Sequence, residues 1–223
     1  MLKSKSKGKF KKLTSAEILE MMELFDMHIG HKKSELLYKN PYTFAVSVLL
    51  SAQATDKSVN LATRELFEIA DNPSAMLALG LDELKRHIRT IGLFNSKAKH
   101  IMEMSQTLVE KFGGSLPHTH AELMQLSGIG RKSANVILNE LYGAPTIAVD
   151  THVLRLTHRL NLVPDSVVTP DATEMELEHI IPEKYKPYVS NYLVLFGRYK
   201  CKAIKPDCAG CYLKKFCVHN TDS

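Results

Sequence analysis

No cysteine occurs in the first 200 residues, and all four in the chain fall between Cys201 and Cys217. Where thiols are kept reduced, such clustering reads as a ligand set before it reads as disulfides. Also lacking is any run of about 18 or more consecutive apolar residues, the length that a membrane-crossing helix needs. The charged N-terminus is not followed by the apolar stretch of a secretory signal. These absences predict a cytoplasmic protein, in the cytosol or nucleoid if bacterial, with no membrane partner. No two-residue turn signal separates alternating hydrophobic runs, so hairpins of β-strands are excluded and an essentially all-α fold is expected.

What is present suits a folded protein. With 223 residues, 44% of them hydrophobic and 24% charged, the chain has enough apolar mass for two compact units sharing an interface and lies far from the composition of disorder. The net charge of +5 is unevenly spread. Lys3, Lys5, Lys7, Lys9, Lys11 and Lys12 stand in an N-terminal segment without acids, and removing their six charges leaves the rest of the chain at −1. Residues 1–13 therefore read as a disordered basic tail, suited equally to solubility or to non-specific polyanion binding. Overall basicity argues only weakly for a nucleic-acid partner.

Helical periodicity dominates. Thr14 and Glu17 have capping-box spacing, followed by Ile18, Met22 and Phe25 on one face. Pro41 opens a stretch in which Phe44 to Leu50 is nearly all apolar, the pattern of a helix buried on every side. Further helices are predicted from about Asp82 to Ile91, from an Asn95 cap to Gly113, from Thr119 to near Leu126, and from Gly130 to Gly143. Asp150 and Thr169-Pro170 offer the cap and first-turn chemistry for two more. Val189, Tyr192, Leu193 and Phe196 mark the last long one.

Three groups of residues carry chemistry. Leu126-Ser127-Gly128-Ile129-Gly130-Arg131-Lys132 is a glycine turn between two helices, whose bare N–H groups can hold a phosphate oxygen or simply close a turn. Lys132 sits in the first turn of the second helix, where the positive end of the dipole disfavours its charge and favours a nucleophilic amine; a solvated lysine or one more phosphate contact is the plainer reading. Asp150 ends the apolar run Ile147-Ala148-Val149 and suits both an N-cap and a proton acceptor. Finally, Cys201, Cys208, Cys211 and Cys217 can close around one metal centre. Their spacing does not choose between structural zinc and an iron–sulfur cluster.

The Gly-Arg-Lys turn, Thr146-Ile147-Ala148-Val149-Asp150-Thr151-His152, Leu50-Ser51-Ala52-Gln53-Ala54-Thr55-Asp56, Ile91-Gly92-Leu93-Phe94-Asn95-Ser96-Lys97 and the cysteine spacing together resemble the endonuclease III family of helix-hairpin-helix DNA glycosylases, over roughly Pro41 to Cys217. The resemblance implies two helical domains. One is a six-helix barrel over residues 34–145 containing the hairpin at about 119–142; the other combines residues 14–33 with 146–223. It also implies a [4Fe–4S] cluster on the four cysteines, selecting iron over zinc.

By the same resemblance, Lys132 is the nucleophile and Asp150 the catalytic aspartate, Gln53 fills the gap left by an extruded base, Leu93 wedges into the stack, and Gly128, Ile129 and Gly130 hold the DNA backbone. The implied activity is removal of oxidised or saturated pyrimidines from duplex DNA by a monomer, followed by β-elimination at the abasic site through a lysine Schiff base. Ser127 departs from the family, which usually has proline there. Adenine glycosylase shares the hairpin and cysteine spacing but typically lacks the lysine. A non-catalytic DNA-binding module and an iron–sulfur electron carrier are the alternatives from other classes.

Overall fold

The computed structural model describes residues 10–31 and 34–219, and the regular structure among them is helical throughout. None of these helices is long and apolar enough to cross a membrane. Among the described residues two compact units are present, one formed by residues 34–144 and the other by residues 10–31 with 145–219.

At the heart of the first unit is α2 (Pro41–Ser51). Asn40 caps it, accepting from the Thr43 N–H, while Pro41 occupies the first turn, where its missing donor costs nothing. Every residue from Tyr42 to Leu50 is buried. This is possible because α3 (Asp56–Ile69), α6 (Phe94–Phe112) and α8 (Arg131–Tyr142) pack around it. Each such fully buried aliphatic or aromatic side chain contributes roughly 1.5–3 kcal/mol, so a strongly apolar segment has no solvent face to find. The buried hydroxyls on this helix find partners: that of Tyr42 lies 2.6 Å from Ser105 on α6, and that of Thr43 donates 2.9 Å to the Asn40 carbonyl. The remaining helices of the unit are α4 (Pro73–Leu79), α5 (Leu81–Ile88) and α7 (His120–Leu123).

Several boundaries differ from the sequence reading. Helix α5 starts at Leu81 and ends at Ile88; the chain reaches Ile91 through a turn, its N–H bonded to Ile88 at 2.9 Å. Helix α6 is capped by Leu93 rather than Asn95, since Leu93 takes a left-handed conformation that starts the helix two residues earlier. Likewise α7 stops at Leu123, and turn bonds carry the chain on to Leu126. The well-capped α3 and α4, behind Thr55 and Asn72, were not anticipated.

The second unit is discontinuous in sequence. Helix α1 (Ser15–Ile29), with the predicted Thr14–Glu17 capping box, packs on α11 (Lys186–Tyr199), which in turn packs on α9 (Thr151–Arg159). α10 (Pro170–Ile180) follows its Thr169 cap. Aromatic packing joins the distant segments: Phe25 stacks on Tyr192 at 5.6 Å and meets Phe196 edge-on, and the Tyr192 hydroxyl donates 2.9 Å to Asp26. Of the basic tail, residues 1–9 lie outside the described residues. Lys11 is placed, its N–H donating 3.1 Å to the Asn161 side chain.

Candidate active site

Between α7 and α8 the chain reverses through Gly128, whose φ of +80° lies in the left-handed region. Space as well as conformation requires glycine there. A Cβ would stand 2.7 Å from Leu49 Cδ1 and 3.1 Å from His100 Cβ. The turn thus rests its inner side on α2 and α6 while Gly128 and Gly130 are exposed, and Ile129 anchors it by burying its side chain. Gly130 is the N-cap of α8 and supplies no side chain to cap it. The start of that helix, with its positive dipole end, therefore carries no side-chain cap, and an anion is favoured there. Lys132 is exposed in the same first turn.

Ser127 is fixed by side-chain bonds. Its hydroxyl donates 2.6 Å to Glu103 and lies 2.8 Å from His100 Nδ1, both on α6. Proline would stiffen this position through its ring; here two hydrogen bonds to a long helix hold it.

Gln53 and Leu93 have a backbone feature in common. Both are non-glycine residues with positive φ, 56° and 60° respectively, a conformation costing about 1–2 kcal/mol per residue. Gln53 follows the C-cap of α2 and is exposed; Leu93 caps α6 and is 64% exposed, although Ile91 before it is buried. An exposed leucine held in a strained turn is poorly explained by packing. Sequence reasoning passed over Lys97, one helical turn beyond Leu93. It is 5% exposed, and its ammonium donates 2.9 Å to the Leu50 carbonyl and 2.6 Å to that of Ala52. Burial pulls its pKa below the usual lysine value. Only the apolar pattern around position 97 signalled that a charge there would be buried.

In the other unit, Asp150 is the N-cap of α9. Its Oδ1 accepts from the His152 and Val153 N–H groups, each at 2.8 Å, and Oδ2 lies 3.2 Å from His152 Nδ1. The preceding run is fastened by Ala148, whose N–H donates 2.8 Å to Ser190 on α11. The carboxylate is thereby oriented by its own helix, with its charge matched to the dipole.

After α11 the chain forms the cysteine loop. Cys201, Cys208, Cys211 and Cys217 are half-buried and not joined by disulfides. Burial raises the Cys211 and Cys217 thiols, and each is raised further by the charges of Cys201 and Cys208, which places the four in one neighbourhood. Arg159 organises the entry to the loop, donating 3.3 Å to Cys201 Sγ, 2.8 Å to the Lys202 carbonyl and 3.1 Å to that of Ala203. Arg155 adds bonds to the Gly197 and Cys201 carbonyls. Among the described residues, no three His, Cys, Asp or Glu side chains converge closely enough to hold a single metal ion.

A hairpin with an uncapped second helix, set in an all-helical chain, defines the class: residues 46–183 match the family described as HhH-GPD superfamily base excision DNA repair protein. The chain is 48% identical to endonuclease III of Rickettsia felis over 200 residues, spanning 90% of this chain and 93% of that one. Against endonuclease III of Escherichia coli it is 42% identical over 207 residues, 93% of this chain and 97% of the other. Among solved structures, a trapped endonuclease III–DNA covalent intermediate, an estranged-adenine complex, superposes with a TM-score of 0.86 at 38% identity, covering 92% of this chain and 96% of that one. This chain belongs to the endonuclease III family.

Proposed function

We propose that this protein excises oxidised or saturated pyrimidines from duplex DNA and then cuts the strand at the resulting abasic site, with Lys132 as nucleophile. The observation that carries the proposal is an exposed amine in the first turn of the uncapped α8, in a chain closely related to a protein trapped covalently on DNA. Base-excision glycosylase and lyase chemistry is the activity of the family; the residue roles are our assignment.

A base inside a duplex hides its glycosidic bond, so it must leave the stack, at a cost of a few kcal/mol. Gln53 offers both a donor and an acceptor to the orphaned partner base, and Leu93 replaces lost stacking with apolar contact. The amides of Gly128 and Gly130 hold a phosphate and so fix the register without reading sequence, while Ile129, whose own N–H donates 3.0 Å to the Leu126 carbonyl, anchors the turn between them. The Lys132 amine, its proton passed to Asp150, attacks C1′; the bond from C1′ to the base breaks, and its electron pair leaves with the base, which is protonated. Loss of a second amine proton and opening of the sugar give the iminium. Removal of a C2′ proton then expels the 3′ phosphate from C3′, and water releases the lysine. Asp150, aligned by two N–H groups of α9, also steadies the positive sugar.

Four cysteines in one neighbourhood, none in a disulfide and with Arg159 directed at Cys201, fit a group bound by thiolates. Cys201, Cys208, Cys211 and Cys217 are accordingly the residues assigned to a [4Fe–4S] cluster, which when bound would crosslink a loop that has little core of its own. The protein is expected to act as a monomer on DNA in the bacterial cytoplasm or nucleoid.

Borohydride trapping tests the assignment, on a thymine-glycol duplex and on an abasic-site duplex, with Lys132→Ala beside the native protein. Adducts on both DNAs that vanish in the variant are expected. An adduct on the abasic duplex alone would mean the base substrate is wrong; undiminished adducts with the variant would remove Lys132 from the mechanism.

A further inference from the structure

Lys97 is a buried cation that the chemistry above does not use. It lies in the first turn of α6, 5% exposed, and its ammonium donates to two main-chain carbonyls at the end of α2, Leu50 at 2.9 Å and Ala52 at 2.6 Å. Helix C-termini present unpaired carbonyls and the negative end of the dipole, so a cation is favoured there. Ala52 is the C-cap of α2 and the next residue is Gln53. The backbone N–H of Lys97 bonds at 3.1 Å to the carbonyl of Leu93. One residue is therefore bonded through its side chain to the turn that carries Gln53, and through its main chain to the residue expected to wedge into the stack.

That arrangement bears on two exposed tips whose backbones are both left-handed. A residue in that conformation relaxes unless its surroundings fix it. Gln53 and Leu93 must enter the same lesion site together, which demands a fixed spacing between two turns that lie far apart in sequence. A methylene stem of the same length would fill the space but leave the carbonyls at the end of α2 without their donor.

We propose that Lys97 is a positioning residue for base extrusion, its ammonium locking the end of α2 to the first turn of α6 so that Gln53 and Leu93 meet the duplex as one rigid pair. The inference rests on the assignment of Gln53 and Leu93 as the side chains that enter the DNA.

The test uses the full chain as native protein, Lys97→Met, the Gln53→Ala/Leu93→Ala pair, and the triple variant. Each is mixed with a duplex carrying 2-aminopurine opposite an uncleavable tetrahydrofuran site, and fluorescence at saturation reports unstacking of the orphaned base. Single-turnover release of thymine glycol is measured in parallel. Lys97→Met is expected to cut the fluorescence rise severalfold and base release roughly tenfold in the native background, yet to change either by less than about twofold when Gln53 and Leu93 are already alanine. An equal loss in both backgrounds would reduce Lys97 to a general structural role, and no loss in either would leave it without one; each overturns the proposal. Should Lys97→Met lose its cooperative melt, Lys97→Gln, which keeps an amide donor, carries the same comparison. A native protein that releases no base and forms no adduct would defeat the glycosylase assignment, while the fluorescence on the unreactive duplex would still decide the role of Lys97.

Discussion

Ser127 donates to Glu103 at 2.6 Å while His100 Nδ1 lies 2.8 Å from the same hydroxyl, so the hairpin is fastened to α6 by a chain of side-chain bonds. Ser127→Ala removes both bonds at a half-buried site. A hydrogen bond contributes about 0.5–1.5 kcal/mol net, and partial exposure moves this pair toward the low end. The expected result is a small drop in melting temperature with weaker binding to undamaged duplex, and Ser127→Pro should recover the binding. Binding by the alanine variant equal to that of the native protein would show that the latch contributes nothing to the hairpin.

Gly128 and Gly130 separate conformation from chemistry. At Gly128, alanine meets a φ of +80° and a 2.7 Å contact with Leu49 Cδ1, whereas a Cβ on Gly130 has nothing within 4 Å. The first substitution should cost about 1–2 kcal/mol from the backbone alone, with more if buried Leu49 cannot move aside. The second should leave stability within about 1 kcal/mol, since alanine is merely the poorer N-cap. Denaturant melts of the two variants decide it, and equal losses would contradict the geometry of the turn.

Local sequence explains why some of this was legible beforehand. The Thr14–Glu17 box, the Asp150 cap and the Thr169 cap each depend on residues two or three positions apart, so local sequence alone reveals them. Buried α2 announced itself because nine successive positions face protein. The start of α6 was misplaced for a physical reason: Asn95 looks like a cap, but Leu93 adopts a left-handed conformation that leucine rarely takes. Nor could the sequence display Lys97 bonded to Ala52, a pair separated by 45 residues. The α3 and α4 helices have readable caps in Thr55 and Asn72, so their starts are written in local sequence as well.

The cysteine loop makes a chemical prediction. Anaerobically purified protein should contain iron and acid-labile sulfide in equal amounts, and Cys208→Ser should lose both together with stability of the 200–217 segment, read by proteolysis. Stoichiometric zinc without sulfide would replace the cluster by a structural zinc site on the same thiols.

Asp150 is assigned two roles, and one substitution separates them. Asparagine caps helices about as well as aspartate, and its carbonyl oxygen can keep the 2.8 Å bonds from the His152 and Val153 N–H groups. What it cannot do is accept a proton from Lys132 or offset positive charge on the sugar. Asp150→Asn should therefore melt within about 0.5 kcal/mol of the native protein while base release falls roughly 10²–10⁴-fold. Asp150→Ala should lose the cap as well, at about 1 kcal/mol, with no further loss of activity. If Asp150→Asn kept turnover within a few fold of native, the carboxylate would be a helix cap alone and the base that activates Lys132 would have to be sought elsewhere.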